Sequence, residues 1–254
     1  GVQSASPETQ ARVERHQHQG RLFEAIRRLI AAGRVHLHVD LIWGLPGETL
    51  AGIRASFEQV IALQPHQLQL GFLKFLPGAP IRGLIGAHGY VFQDAPPYEV
   101  IAHRDLSAED VLGLKCFQEV FDAYYNSGHF RFTLRRLMQA RGPWPVFQAL
   151  TDHFLAHGLL LPAHGLETLL RELHACARGW IGADELVDLL KLDYFFHHPA
   201  RAGRVPAFLN GREAAETPAV RARRKAESGV ALAAFRHRIA LPERALHDGT
   251  VTLE

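Results

Sequence analysis

The chain has 254 residues, of which 47% are hydrophobic and 21% are charged, and its formal net charge is +2. This composition is typical of a globular protein with one or two hydrophobic cores, and it excludes a disordered or fibrous chain. The sequence has no apolar run of the roughly 20 residues that span a bilayer and no amino-terminal signal region, so we expect a cytoplasmic protein without a membrane partner.

The first third of the sequence alternates between strand and helix patterns. Ser6-Pro7-Glu8 is typical of a helix start, and Gly33 of a helix end. The patterns predict helices over 6–20, 21–32 and 50–63, and strands over 1–4, 35–43 and 67–75. This order predicts parallel strands joined by right-handed crossovers, in a sheet that three strands do not close.

Beyond residue 80 the patterns are helical. Ser107-Ala-Glu-Asp110 is a capping box that begins a helix reaching about Tyr125. Further helices are predicted over 130–139, 145–157, 166–178 and 183–196. We therefore expect an α/β domain over 1–80, an all-α domain over 81–210 and a polar tail over 211–254 with a weak hairpin pattern. The basic run 221–225 has no interleaved aromatic residues, so we interpret it as a solvated helix face and expect no nucleic-acid partner.

The segment from His36 to Thr49 is an apolar strand that breaks into a Gly/Pro turn before the next helix. Asp40, Ile42 and Gly44 alternate onto one side of this strand. Parallel α/β sheets bind ligands at the carboxyl ends of their strands. A carboxylate, an apolar side chain and the open backbone of a glycine together suit an adenosyl group.

Several segments carry a family resemblance. Gly1-Val-Gln-Ser4, Arg15 and Asp40-Leu-Ile-Trp-Gly-Leu-Pro-Gly-Glu-Thr49 resemble, in order and spacing, the second half of a radical S-adenosylmethionine (SAM) barrel of the coproporphyrinogen-dehydrogenase-like kind. The stretch 67–128, continued by 190–194 and 204–208, is similar to cobalamin-binding radical SAM proteins with an uncharacterised helical domain after the barrel. The resemblance covers about residues 1–210 and implies a partial (β/α) barrel, with the last parallel strands only, followed by an α-helical carboxyl-terminal domain.

The resemblance also implies a set of cofactor-binding residues. Arg15 has a planar guanidinium that suits the methionyl carboxylate, Asp40 can accept from ribose hydroxyls, and Gln3 can donate and accept. Ile42 would pack against adenine, and the backbone over 71–75 would complete the adenine site. The implied SAM-binding residues are Gln3, Arg15, Asp40, Ile42, Gly44, Leu73 and Lys74. Whether Glu48 reaches the ligand or caps the following helix is open at this point.

Radical SAM chemistry requires a CxxxCxxC loop that holds a [4Fe-4S] cluster, and this sequence lacks that motif. Cys116 and Cys176 lie far apart in apolar helical contexts, so we expect buried, reduced thiols. We expect the cluster strands and a cobalamin-binding domain to lie upstream of Gly1 in one parent enzyme. The fragment alone would then be inactive. The parent's substrate would be a small molecule, unidentified by the sequence, that faces Lys74, Tyr98 and Glu99.

Two other classes of function compete with this interpretation. His36 and His38, two residues apart on one strand with Asp40 on the same side, are spaced like the zinc ligands of metal-dependent amidohydrolases, although no later strand adds a further ligand pair. The helical half could instead be a protein-interaction module on a non-catalytic α/β remnant. Its aromatic surface would comprise Tyr98, Tyr124, Tyr125, Phe195 and Phe196.

Overall fold

The computed structural model describes residues 1–160, 163–197 and 205–209, and it is a mixed α/β structure with small, open sheets. The strands are β1 (His38–Trp43), β2 (Gln67–Phe72), β3 (Val91–Phe92) and β4 (Val100–Ala102). The helices are α1 (Pro7–Arg12), α2 (Gln19–Ala32), α3 (Leu50–Ile61), α4 (Ile85–His88), α5 (Ala108–Phe121), α6 (Arg131–Arg141), α7 (Pro143–Ala156), α8 (Leu166–Cys176) and α9 (Ala183–His197). Within the described ranges, no helix combines the length and the hydropathy needed to cross a membrane.

Shorter helical turns complete the described chain. They are 3-10 turns at Pro80–Leu84 and Ala207–Leu209 and a π-helical turn at Asp122–Asn126. The predicted features of the tail, namely its helix, its basic run and its hairpin, lie outside the described residues.

Two of the three predicted parallel strands are present, and the predicted strand over 1–4 is reduced to a single bridge at Gln3. β1 and β2 pair in parallel from His38 opposite Gln67 to Trp43 opposite Phe72. On the other side of β1, Gln3 forms a parallel bridge with Leu41. The Gln3 N–H donates to the carbonyl of Asp40, and the Ile42 N–H donates to the carbonyl of Gln3, both at 2.8 Å. The sheet is therefore open, with residues 2–4 at one edge.

The two faces of this sheet differ in burial. Val39, Leu41 and Trp43 are at most 3% exposed, and their neighbours on β2 are also buried. The alternate residues, Asp40 and Ile42 among them, keep part of their surface exposed. We call the face that carries Asp40, Ile42 and Gln69 the open face. The alternation predicted for β1 is thus confirmed, and it leaves one side of the sheet accessible.

An aromatic cluster packs helices α3, α5 and α7 together and against the side of β1 that carries Trp43. Phe57 of α3 makes edge contacts with Phe117 of α5, at 5.3 Å between ring centroids, and with Trp144 of α7, at 5.7 Å. Phe117 stacks on Trp144 at 4.5 Å and also contacts Trp43. Such ring pairs are favourable when fully buried. The cluster makes α5 and α7 part of the same body as the strands.

The chain divides into two units. Unit 1 comprises residues 1–122 and 143–160, and unit 2 comprises 123–142 together with the described residues beyond 160. The aromatic cluster places α5 and α7 in the same unit as the strands. The predicted domains over 1–80 and 81–210 stay a prediction. Unit 1 also contains β3 and β4, an antiparallel pair within the range that was expected to be all-α.

Most predicted helices occur within a few residues of their expected ends. The capping box at Ser107 and Asp110 forms as expected, and Gly33 ends α2 with a left-handed conformation. The first helix is shorter than predicted, because it ends at Arg12 and Glu14 adopts a positive φ of 55°. The helix after Ser107 ends at Phe121 and passes into the π-helical turn.

Unit 2 contains a buried carboxylate that caps a helix. Asp193 of α9 accepts hydrogen bonds from the N–H groups of Phe132 and Thr133, each at 2.9 Å, in the first turn of α6. These N–H groups have no partner within their own helix. Burial raises the pKa of Asp193 to about 7, because desolvation outweighs the hydrogen bonds that favour the charged form. One side chain therefore fixes α6 against α9.

Replacing Asp193 tests this cap. We expect Asp193→Ala to lower the free energy of unfolding by about 2 kcal/mol, because two buried N–H groups lose their acceptor. Asp193→Asn keeps one acceptor oxygen and should cost about half as much. Urea denaturation followed by circular dichroism measures both effects, with Asp94→Ala at an exposed position as the control. Equal stabilities of Asp193→Ala and the control would contradict the capping role.

Candidate functional site

Three side chains predicted to contact SAM surround Gly1. The Arg15 guanidinium donates to the carbonyl of Gly1 at 2.7 Å, and an Asp40 carboxylate oxygen lies 3.6 Å from the Gly1 nitrogen. The Gln3 Cγ would lie 3.8 Å from a β-carbon at Gly1. The Asp40 side chain keeps 43% of its surface exposed. The structure thus brings Gln3, Arg15 and Asp40 together at one edge of the sheet, while their role in binding SAM stays a prediction.

The turn after β1 is organised around a buried carboxylate. Glu48 is 2% exposed. One of its oxygens accepts from the N–H groups of Gly44 and Leu45, at 3.1 and 3.3 Å, and the other accepts from the Ser4 hydroxyl at 3.2 Å. Burial raises the pKa of Glu48 to about 7. Glu48 therefore binds its own turn and the first segment of the chain. The cap of α3 is instead Thr49.

Gly44 is enclosed, which differs from the open backbone expected from the sequence. Its N–H donates to Glu48, and its carbonyl accepts from the Tyr90 hydroxyl at 2.9 Å. Its φ is +84°, and a β-carbon there would lie 2.8 Å from a methyl group of Val100. Both main-chain groups are thus used within unit 1. Only a glycine combines this backbone conformation with so close a neighbour.

Gly47, in the same turn, is held in place by the side chain of Arg12. Arg12 at the end of α1 donates to the carbonyls of Pro46 and Gly47, both at 3.3 Å. Gly47 has a φ of +70°, and a β-carbon there would lie 2.4 Å from the Arg12 guanidinium. The turn is therefore held by Arg12 on one side and by Glu48 on the other.

The other predicted adenine contacts lie just beyond β2. Leu73 is 9% exposed, its N–H donates to the Trp43 carbonyl at 2.9 Å, and its own carbonyl accepts from Val100 at 2.9 Å. Lys74 is exposed and forms an antiparallel bridge with Glu99. Among the described residues, neither main-chain group of Lys74 has a hydrogen-bond partner. The main-chain groups of Lys74 are thus available to a ligand, whereas those of Leu73 are used.

Glu99 and Tyr98 are two of the side chains that were expected to lie near a substrate. Glu99 forms an ion pair with Lys115 of α5, and the Lys115 amine lies 5.3 Å from the ring centroid of Phe72. Glu99 is therefore tied to the helical side of the strands. Tyr98 is partly exposed and has a φ of +57°, which is uncommon for a residue with a bulky side chain.

The alternative interpretations receive little support. The rings of His36 and His38 lie 4.8 Å apart between centroids, and His66 lies 4.9 Å from His36. No group of three or more His, Cys, Asp or Glu residues in the described ranges is placed to hold a metal ion. Of the proposed aromatic surface, Tyr124 and Phe195 are buried, while Phe196 is 51% exposed.

The two cysteines form no disulfide and are only partly buried, which corrects the expectation of full burial. Burial raises the pKa of Cys116. Cys116 lies on α5 in unit 1, whereas Cys176 ends α8 in unit 2.

Comparison with known families adds a second line of evidence. A family model described as a protein of unknown function, DUF4080, matches residues 86–241, which is more than half of the chain. The chain belongs to the DUF4080 family. The match extends from α4 through α9 and the turn at Ala207–Leu209.

This DUF4080 protein is also similar to a curated enzyme. Over 77 residues it is 30% identical to an oxygen-independent coproporphyrinogen III oxidase from Thermostichus vulcanus. The similar stretch is 30% of this chain and 24% of the oxidase. The chain thus spans about a quarter of the length of the curated relative it matches.

Some residues that shape the site of the DUF4080 protein gave no clear signal in the sequence. Ser4 and Ser56 approach each other to 3.4 Å across 52 residues, and Tyr90 reaches Gly44 across 46 residues. Neither contact belongs to a local motif. The only available signal for Glu48 was its position just after a Gly-Leu-Pro-Gly turn.

The raised pKa of Glu48 predicts a pH dependence. Because the folded protein holds the proton more tightly than the unfolded chain, Glu48 should lower stability as pH rises from about 4.5 to about 7. The loss should be on the order of 3 kcal/mol. Glu48→Gln can keep the hydrogen bonds without the charge, so its pH profile should be flatter and its stability at pH 8 higher.

Chemical denaturation between pH 5 and 8 measures this difference. Glu109→Gln, at an exposed position of α5, is the matched control and should leave the profile unchanged. If the free energy of unfolding changed with pH in the same way for the wild type and Glu48→Gln, Glu48 would not be taking up a proton on folding.

Proposed function

We propose that this chain supplies part of the SAM-binding surface of a radical SAM enzyme and is one piece of that longer protein. The observation that carries the proposal is the convergence of Gln3, Arg15 and Asp40 around Gly1 at the edge of the open sheet. The family resemblance of these residues and the similarity to an oxygen-independent coproporphyrinogen III oxidase support it independently.

Each of the three side chains suits one part of SAM. Arg15 donates from Nη2 to the Gly1 carbonyl, and the Gln17 side-chain oxygen accepts from its Nη2 and Nε at 2.7 and 2.9 Å. Its Nη1 is left to donate to a methionyl carboxylate. The exposed part of Asp40 can accept hydrogen bonds from ribose hydroxyls. Gln3 can both donate and accept beside them. Together they would fix the orientation of the sugar and the amino-acid end.

The open face suits the adenine end. Ile42 follows Asp40 on this face and is partly exposed, so it can pack against a flat ring. Lys74 offers one main-chain donor and one acceptor, the complement of an adenine edge. Gly44 would act indirectly, because Glu48, Val100 and Tyr90 enclose it and thereby fix the end of β1.

The residues of this chain do not fit an iron-sulfur cluster. Such a cluster is held by cysteine thiolates, and the sequence has only Cys116 and Cys176, which belong to different units. In radical SAM chemistry a [4Fe-4S] cluster cleaves SAM reductively. We therefore assign the cluster to another segment of the proposed longer protein, and to this chain only the binding and orientation of SAM.

Cobalamin dependence is a further part of the proposal. It is supported by the resemblance of the stretches 67–128, 190–194 and 204–208 to cobalamin-binding radical SAM proteins. We place the cobalamin in an upstream domain of the same parent chain and the protein in the cytoplasm. The substrate would be a small molecule near Lys74 and Tyr98, and no nucleic-acid or membrane partner is proposed.

Replacing Asp40 tests the SAM site. In the longer parent protein, Asp40→Ala should raise the Kd for SAM roughly 10- to 100-fold, because a charged acceptor for the ribose is lost. Equilibrium dialysis with labelled SAM measures the Kd. Asp94→Ala at an exposed position is the matched control and should leave the Kd unchanged. An unchanged Kd in Asp40→Ala would remove Asp40 from the site.

Turnover of the parent protein tests the reaction class. After anaerobic reconstitution with iron and sulfide, the parent should release 5′-deoxyadenosine from SAM when a reductant is added. Chromatography of the quenched reaction measures the product. Protein purified after growth with vitamin B12 should also show a cobalamin absorption spectrum. Absence of 5′-deoxyadenosine would disprove the enzyme proposal, and absence of the spectrum would disprove only the cobalamin part.

A further inference from the structure

Lys191 of α9 is a fully buried lysine without a partner. Its side chain has 0% exposure, and its amine makes no hydrogen bond within the described residues. By contrast, Lys74 is exposed and Lys115 forms an ion pair with Glu99. A buried ammonium without a partner weakens folding, so such a group calls for an explanation.

The position of Lys191 on its helix limits where a partner can be. Asp193, two residues later, binds the first turn of α6. Two residues correspond to about 200° around an α-helix, so Lys191 lies on the side of α9 opposite α6. Among the described elements of unit 2, α9 also packs against α8 and the turn at Ala207–Leu209.

That side of unit 2 carries basic side chains. Phe208 of the turn lies beside two of them on α8, with Arg171 5.8 Å and His174 5.7 Å from its ring. Glu167 pairs with Arg171 at 3.0 Å and offsets part of this charge. Leu209, next to Phe208, is fully buried. Burial lowers the pKa of His174, so its imidazole is neutral at pH 7 and Arg171 supplies the positive charge of this pair. The Arg171 guanidinium favours the approach of a small anion from this side.

We propose that Lys191 binds the anionic group, a carboxylate or a phosphate, of a small molecule in unit 2. An ammonium has three donors and no acceptor, so an oxyanion complements it in both charge and hydrogen bonding. The other buried charged groups of α9 do not serve this purpose, since Asp193 already binds α6 and Asp188 makes no hydrogen bond with the Lys191 amine. The site is independent of the proposed SAM-binding residues, all of which lie in unit 1.

Thermal unfolding of the full chain tests the site. The probes are inorganic phosphate and sodium acetate, each compared with sodium chloride at the same ionic strength. We expect at least one of them to raise the Tm of the wild type and of the control Arg27→Met, at an exposed position of α2, and to leave Lys191→Met unchanged. Without any anion, Lys191→Met should have a higher Tm than the wild type, because a buried charge is replaced by an apolar side chain of similar length.

Several results would overturn the proposal. These are an equal Tm rise in Lys191→Met and the wild type, no rise in the wild type with either probe, or the same rise with chloride. A lower Tm for Lys191→Met without anions would show that the amine has a partner in the chain itself. A response to phosphate alone or acetate alone assigns the class of the anion.

Acylation of the unmodified protein gives a second measurement that needs no variant. The sequence has four lysines, so mass spectrometry can follow each one. A bound anion should slow acylation of Lys191 roughly tenfold at a concentration about ten times its Kd, while the exposed Lys74 reacts at an unchanged rate. Equal slowing at both lysines, or no slowing at Lys191, would also overturn the proposal.

Discussion

The arrangement of the candidate site depends on one buried carboxylate, that of Glu48. It accepts hydrogen bonds from the turn after β1 and from the Ser4 hydroxyl, so it joins the first segment of the chain to the end of that strand. Gln3 immediately precedes Ser4, and Asp40 lies on β1. The backbone bridge between Gln3 and β1 sets the separation of these two side chains, and Glu48 holds the residue that follows Gln3 against the end of the strand. The pKa of Glu48 is raised because this arrangement removes its carboxylate from water.

Local signals account for the parts of the fold that the sequence predicts. The capping box at Ser107 needs only Asp110, three residues away, and Gly33 ends α2 by its own backbone conformation. The units could not be predicted in this way. Whether α5 and α7 pack with the strands depends on Phe57 and Phe117, which meet across 60 positions of the sequence, and periodicity does not specify such partners.

The candidate site likewise has features that the sequence suggested and features that depend on long-range packing. The order and spacing of Gln3, Arg15 and Asp40 suggested one site, and the fold brings the three side chains together at the edge of β1. The surroundings of Gly44 did not follow from the sequence. A glycine after a strand predicts an accessible backbone, but Val100 and Tyr90, more than 40 residues later, enclose it. The sequence thus suggested which groups are chemically suitable for a ligand, and the fold determines which of those groups are accessible.

Among the buried charged groups in the described part of the chain, Glu48, Asp193 and Lys191 differ in the hydrogen-bond partners that the backbone offers them. Glu48 and Asp193 are acceptors, and turns and helix starts present N–H groups that have no other partner, so each carboxylate finds two main-chain donors. Lys191 is a donor in the body of α9, where the helix already uses the nearby carbonyl groups. The backbone around Lys191 therefore has no acceptor to match those donors. A partner for its amine has to come from another side chain or from a ligand, and the described residues supply no such side chain.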